Sequence, residues 1–357
     1  MTTLSAPVTG LRARRLPKWA PWAIAAGSVL LSFLLVYAGG LLGGGIVLTA
    51  IASVVLYLFL LWLVARQVEG SRSARNRIAS SLIYSAFVLA LLPLLSVAWT
   101  LVSKGVERLD GDFFSHSMNG ITAFDANGGA YHAIIGTLEQ AGIATLITVP
   151  LGVGAAIYIV EYGRGRLATV IRFFVDVMTG IPSIVAGLFI LAFWVYVVYP
   201  LYSPDGKPGY SGFAASLALS VLMLPTITRS TEEMLRLVPD ALREGSYALG
   251  IPKWKTILRV VLPTALPGIV TGVMLAIARA CGETAPVLLV AGGFNSINMN
   301  PVIGQQSSLA IYIWDQAGSA SKYAPARAWA AALTLVLLVL ILTIAAKLLA
   351  RRSKLER

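Results

Sequence analysis

The chain of 357 residues is 57% hydrophobic and only 12% charged, against roughly 25% charged residues in soluble domains, which excludes a water-soluble globular protein. Its net charge of +12 raises nucleic acid as a partner, but the basic residues flank apolar runs in the pattern that orients membrane spans, so no nucleic-acid partner is expected. A single cysteine, Cys281, excludes an intrachain disulfide, and His116 and His132 are too far apart and too isolated to mark a metal site, so each is expected to be an interface residue.

Eight apolar runs can be drawn, about Trp22 to Ala38, Ile46 to Ala65, Ile78 to Val102, Ile134 to Val160, Val170 to Tyr199, Phe213 to Ile227, Leu266 to Val290 and Trp329 to Ala346. Most reach the roughly 20 residues that a bilayer requires. With a cytoplasmic N-terminus, only Lys104, Arg108, Lys207, Lys322 and Arg327 of the 28 basic residues fall outside, and Arg279 falls within a span. The rest collect on the inner side, as the positive-inside rule demands. The expected fold is therefore an all-α integral membrane protein of about eight transmembrane helices, with both termini cytoplasmic.

Residues 1–77 form a basic tail and a helical hairpin closed by Gly39, Gly40, Gly43, Gly44 and Gly45. Val36-Tyr37-Ala38 imitates a signal-peptidase site, but the run before it exceeds the usual 7–15 apolar residues, so the segment is expected to remain as a span. A charged linker from Arg66 to Arg77 marks the boundary to a core at 78–350, followed by a basic tail at 351–357. The loop from Ser103 to Ala133, with Asp110, Asp112, Phe113, Phe114 and Asp125, reads either as a surface for an external partner or as a solvated connector.

In the fourth run Gly136, Gly142, Gly152 and Gly154 allow close helix packing, and Glu139 is a candidate pathway acid because an ionisable group inside a membrane is costly. Arg172 and Asp176 have the spacing of an i,i+4 ion pair. Pro182 and Ser183, within Thr179-Gly180-Ile181-Pro182-Ser183, interrupt the fifth run, as a broken helix lining a cavity or as a simple kink.

A polar island follows, Glu244 to Pro263. A helix from Pro239 through Leu249 would place Glu244 and Ala248 on one face, end at a left-handed Gly250, and give way to a second short helix opened by Pro252. Lys253, Lys255 and Arg259 would hold it at the cytoplasmic surface, where it either docks a partner or lies on the bilayer. In the seventh run Arg279 and Glu283 stand four residues apart among apolar neighbours, beside Gly282, Thr284 and Pro286. Arg presents a planar fork suited to phosphate-like oxyanions; the alternative is a structural ion pair. No G-x-x-x-x-G-K-[ST] occurs, so this chain carries no P-loop.

The island resembles the coupling motif of ABC-importer permeases at Glu244, Gly250, Leu262 and Pro263, with Gly245 and Ser246 in place of two alanines and Val260 in place of an isoleucine. Arg279 to Pro286, with Gly129 to Leu138, Pro150 to Gly152 and Ile181 to Ser183, is similar to permeases of the PstA type in bacterial phosphate importers. The resemblance covers about residues 78–350 and leaves the N-terminal hairpin as an addition to a type I ABC-importer permease core of six helices. It implies a coupling helix at 239–256 and import of inorganic phosphate, with Arg279 and Glu283 as transport-critical charges. It further implies a PstC-type permease, two PstB-type ATPase subunits that carry ATP and Mg, and a PstS-type phosphate-binding protein, with no cofactor in this chain. Import of another oxyanion such as sulfate or molybdate, an ion-coupled secondary transporter using Glu139, Arg279 and Glu283, and a structural membrane anchor are the alternatives.

Overall fold

The structure, a computed structural model, describes residues 16–39, 45–163 and 165–355. Arg12, Arg14, Arg15, Gly40, Gly43, Gly44, Arg164 and Arg357 lie outside the described residues, as do the side chains of Arg351, Arg352 and Lys354. Among the described residues, eight helices are long and apolar enough to cross a membrane: Ala20–Ala38, Leu48–Glu69, Ser71–Arg108, Tyr131–Tyr162, Ser183–Leu201, Gly212–Arg236, Lys253–Cys281 and Ala324–Leu348. Contacts divide the chain into two compact units, Met1–Ala98 and Trp99–Arg357.

In the first unit, α1 (Ala20–Ser32) packs on α2 (Ile46–Glu69), and α3 (Ser71–Gly105) begins there and ends in the second unit. Ser28 and Ser53 are buried and donate to the Ile24 and Thr49 carbonyls one turn back, so they pack without needing a partner helix. The charged stretch from Arg66 to Arg77 is not a linker. It is the end of α2 and the start of α3, joined at Gly70, whose φ of 87° favours glycine, and locked by a bidentate pair from Arg77 to Glu69 at 2.6 Å.

The second unit comprises α4 (Gly111–Ser115), α5 (Tyr131–Ile157), α6 (Arg166–Thr179), α7 (Ser183–Ile190), α8 (Gly212–Arg236), α9 (Asp240–Ala248), α10 (Lys253–Thr256), α11 (Leu262–Cys281), α12 (Ala285–Ala291), α13 (Leu309–Gly318) and α14 (Ala324–Leu355). Its centre is α8, with 67% of its apolar window buried against at most 33% in any other span. Ala214, Ala215, Ser216, Ala218 and Ser220 make α8 thin enough for neighbours to approach closely, and the serines satisfy their hydroxyls on carbonyls one turn back. Among the expected small contacts, Gly152 meets Ile227 of α8 and Gly136 meets the Ser307 backbone, while Gly142 and Gly154 face open space.

Three expected elements are corrected. The fifth run is two helices, α6 and the span beginning at Ser183, because Pro182 has no N–H to give and disfavours helix at Ile181. The break thus precedes the span instead of interrupting it. The seventh run starts earlier and stops sooner: α10 runs without interruption into α11, so Pro252 opens the span itself, and the helix ends at Cys281. The long loop is neither bare nor merely solvated, since α4 and the turn after it bury Phe113 and Met118 against Leu309, Tyr312 and Ala330. His132 is likewise buried at 4% exposure with its ring edge-on to Tyr312, whereas His116 is exposed beside Asp112.

Candidate functional site

Arg279 occupies the last turn of α11 and Glu283 the gap before α12, so the pair bridges a helix end and does not sit on one continuous helix. The gap forms because Gly282 caps α11 and Pro286 can occupy only the first turn of a new helix. Arg279 donates from Nε to Glu283 Oε1 at 3.3 Å, with side-chain exposures of 63% and 17%. Among the described residues its two terminal nitrogens make no hydrogen bond. The guanidinium is therefore oriented through one nitrogen and open through its fork, the part that binds an oxyanion bidentately.

The two chain breaks are brought near each other by the helices that follow them. α7 and α12 pack so closely that Gly187 lies against the Pro286 backbone, where a Cβ would collide at 2.7 Å. Pro182 caps α7 and Ser183 is its first residue, as Thr284 is the cap of α12. No hydrogen bond joins Pro182 or Ser183 to the Arg279–Glu283 pair among the described residues.

Glu139 is placed elsewhere, in a polar network that the sequence did not suggest. The segment between α12 and α13 threads back into the helix bundle, and its buried Gln306 donates from Nε2 to Glu139 Oε2 at 2.5 Å and to the Asn298 carbonyl at 3.0 Å. Gln140 donates to Gln306 Oε1 at 3.0 Å, and Thr137 Oγ1 accepts from the Leu309 amide at 2.8 Å. A cavity of ≈ 10 Å³, room for about one water, lies between Thr137, Gln140, Ser308, Cys281 and Glu283. The network thus adjoins Glu283 without contact between the two acids. Only the abundance of Gln, Ser and Asn at 295–308 hinted at it.

At the basic end of the unit, α9 presents Glu244, Gly245, Tyr247 and Ala248 outward, while Ser246 is buried and shares a hydrogen bond of 2.8 Å with Thr256. Gly250 has a φ of 75° and returns the chain into α10, and Pro263 stands in the first turn of α11. Leu249 (80% exposed) and Trp254 (59%) add apolar area to this surface. Arg243 holds α9 in place: it reaches Glu161 at 2.9 and 3.1 Å and the Leu235 and Val238 carbonyls at 2.9 and 2.6 Å. Lys253 donates to the Glu161 carbonyl and lies 4.8 Å over the Tyr162 ring.

The expected Arg172–Asp176 pair is not made. Arg172 turns to Glu232 at 3.4 Å and Asp176 to Arg229 at 3.8 Å, both on α8. Glu232, only 2% exposed, also takes Arg229 and Arg236, and a carboxylate so deeply buried draws every cation within reach.

Residues 148–355 match the family of binding-protein-dependent transport system inner membrane components. The chain is 45% identical over 283 residues to phosphate transport system permease protein PstA 1 of Mycobacterium tuberculosis strain H37Rv, covering 78% of this chain and 88% of that protein. It is 38% identical over 286 residues to phosphate transport system permease protein PstA of Haemophilus influenzae, covering 79% and 96%. Among solved structures, an inward-facing form of the MetNI methionine ABC transporter aligns with a TM-score of 0.49 at 21% identity, over 62% of this chain and 94% of that one. The eight apolar helices among the described residues, with the family and the PstA relatives, place the chain among multi-pass membrane proteins: it belongs to the family of binding-protein-dependent transport system inner membrane components and, within it, to the PstA permeases.

Proposed function

We propose that the chain is the non-catalytic permease subunit of an ATP-driven importer of inorganic phosphate, set in a bacterial cell membrane with both termini cytoplasmic. The observation that carries this reading is the oriented, open guanidinium of Arg279 at a break between helices. Relatives that bear the name of phosphate permeases supply the substrate. The outward face of α9, with Glu244, Gly245 and Ala248 and the turn at Gly250, docks one of the two PstB-type ATPases of the complex, which hold ATP and Mg. A PstC-type permease completes the path, and a PstS-type binding protein delivers phosphate from outside.

ATP-driven closure of the ATPases moves α9, and the continuous α10–α11 helix carries that movement to Arg279. The core bounded at 78–350 would move as the working part. Arg279 then offsets the charge of the anion, while Glu283 aims the guanidinium and limits how tightly the anion is held. Pro182, Ser183 and Thr284 keep the neighbouring helix ends open along the path, and Glu139 stands beside it through the Gln306 network.

The test is ATP hydrolysis and labelled-phosphate uptake by the reconstituted complex in proteoliposomes, with and without loaded binding protein. Both should rise together, and sulfate or molybdate should compete poorly. Uptake independent of ATP would overturn the importer reading. Intact uptake by Arg279→Ala would remove Arg279 from the path.

A further inference from the structure

At the end of the second unit opposite α9, the turn at 118–121 and the segment at 292–296 enclose an open pocket of ≈ 500 Å³. The Met118 amide donates to the Asn295 carbonyl at 3.1 Å, so the two walls are held to each other. Gly292 and Gly293, with φ of 80° and 62°, turn one wall sharply enough to leave Asp315 of α13 at the pocket's edge, where its carboxylate would lie 3.8 Å from a Cβ on Gly293. Asp315 is the only ionisable side chain lining the space; Asn119, Asn295 and Ser296 supply the other polar side chains.

Asp315 is exposed at the pocket's edge and differs from the other aspartates of this end in having no partner among the described residues. Asp110 pairs with Arg108, Asp112 lies 3.6 Å from His116, and Asp125 accepts from Thr122. Asp315 makes no hydrogen bond or ion pair among the described residues, and partial burial raises its pKa above the ordinary aspartate value. Phe294, which lines the pocket, is exposed at 42%, and Trp314, next to Asp315 in α13, at 64%. Neither belongs to one of the helices long enough to cross a membrane. An exposed aromatic ring beside an unpaired charge suits a protein contact with a charged anchor.

We propose that this pocket receives a lysine or arginine side chain of the external binding protein, with Asp315 as its counter-charge. The sign of the pocket decides among occupants. An unpaired carboxylate repels a free phosphate. One carboxylate is too few for a divalent cation, which seeks about six or more oxygens including several charged ones. A long cationic side chain fits: its stem lies along Phe294 and Leu288, its head reaches Asp315, and the Phe294 ring adds a cation–π contact. The inference rests on the importer reading, which supplies a soluble partner at this face.

The test titrates purified, phosphate-loaded binding protein onto the reconstituted complex and reads stimulated ATP hydrolysis. Asp315→Asn should raise the half-maximal concentration of binding protein about tenfold, in keeping with the loss of one charged anchor, and Asp315→Lys should raise it further. Hydrolysis without binding protein should not change. Added salt should weaken the unaltered complex more than Asp315→Asn, a difference that a purely structural role would not produce. An unchanged half-maximal concentration and an unchanged salt response in both variants would overturn the inference and leave the importer reading standing. Failure of the binding protein to stimulate the unaltered complex would overturn both. Should a variant assemble poorly, the salt response of Asp315→Glu, which keeps the charge, decides the matter: a response lost despite the retained carboxylate counts against a charge anchor.

Discussion

Arg243 and Arg279 are both arginines paired with a glutamate, yet the protein uses them in opposite ways. The side chain of Arg243 is 12% exposed and gives its nitrogens to Glu161, Asp240 and two backbone carbonyls. Arg279 is 63% exposed and gives one nitrogen to Glu283. A saturated guanidinium has nothing left for a ligand and serves to fix geometry, whereas a singly held one is aimed but free. Arg327 shows the first pattern again: buried at 2%, it donates to Gln316 and to the Asp125 and Asn127 carbonyls, tying α14 to the loop before α5. Saturation, and not the presence of charge in an apolar sequence, separates the two classes.

The sharpest way to break this comparison is Arg243→Ala. It strands Glu161, 5% exposed, without its cation, and should cost about 3–5 kcal/mol of stability, read as a lowered denaturation midpoint together with loss of ATPase coupling. Arg279→Ala should do the reverse. Thermal stability should hardly move, while phosphate uptake should fall by roughly a hundredfold, the ~3 kcal/mol of a strong charged contact. Equal stability losses in the two variants would erase the distinction.

Within α9 the two glycines should part company as the two arginines do. Gly250→Ala forces a side chain into a φ of 75° and should cost about 1–2 kcal/mol, visible as faster amide exchange across 245–256. Gly245 has open space within this chain where a Cβ would go, so Gly245→Ala should stabilise the helix by about 0.5–1 kcal/mol, read as slower amide exchange across α9.

The smallest effects belong to two aspartates whose shifts oppose each other. Thr122, through its amide and its hydroxyl, lowers the pKa of Asp125, so its contribution is present above the ordinary value of 3.8 and is lost as pH falls through the depressed one. Burial raises the pKa of Asp315, so its ionised form weakens the fold as pH rises past 3.8, and Asp315→Asn should be no less stable than the parent at neutral pH. Denaturation midpoints of the two Asn variants across acidic and neutral pH should therefore move in opposite directions relative to the parent.

Much of the site was legible because it depends on local backbone chemistry. Pro182, Gly250 and Pro252 mark helix ends wherever the chain goes, and the Arg279–Glu283 spacing brings the pair together even across a broken helix. The same local rule failed for Arg172 and Asp176, where the spacing was right but a buried acid 60 residues away in sequence from Arg172 made the stronger claim. The Gly136 contact was expected in kind, but its partner proved to be the Ser307 backbone and not another helix.

By itself the sequence determined the apolar helices, their breaks, and which residues were small or charged, because spans, caps and turns answer to neighbours within one helical turn. Tertiary structure alone decided which charges would be saturated. Arg243 meets Glu161 across 82 residues and Gln306 meets Glu139 across 167, and no local rule reaches that far. Asp110 and Asp125, by contrast, take Arg108 and Thr122 from within three residues along the chain, while Asp315 makes no such pair among the described residues.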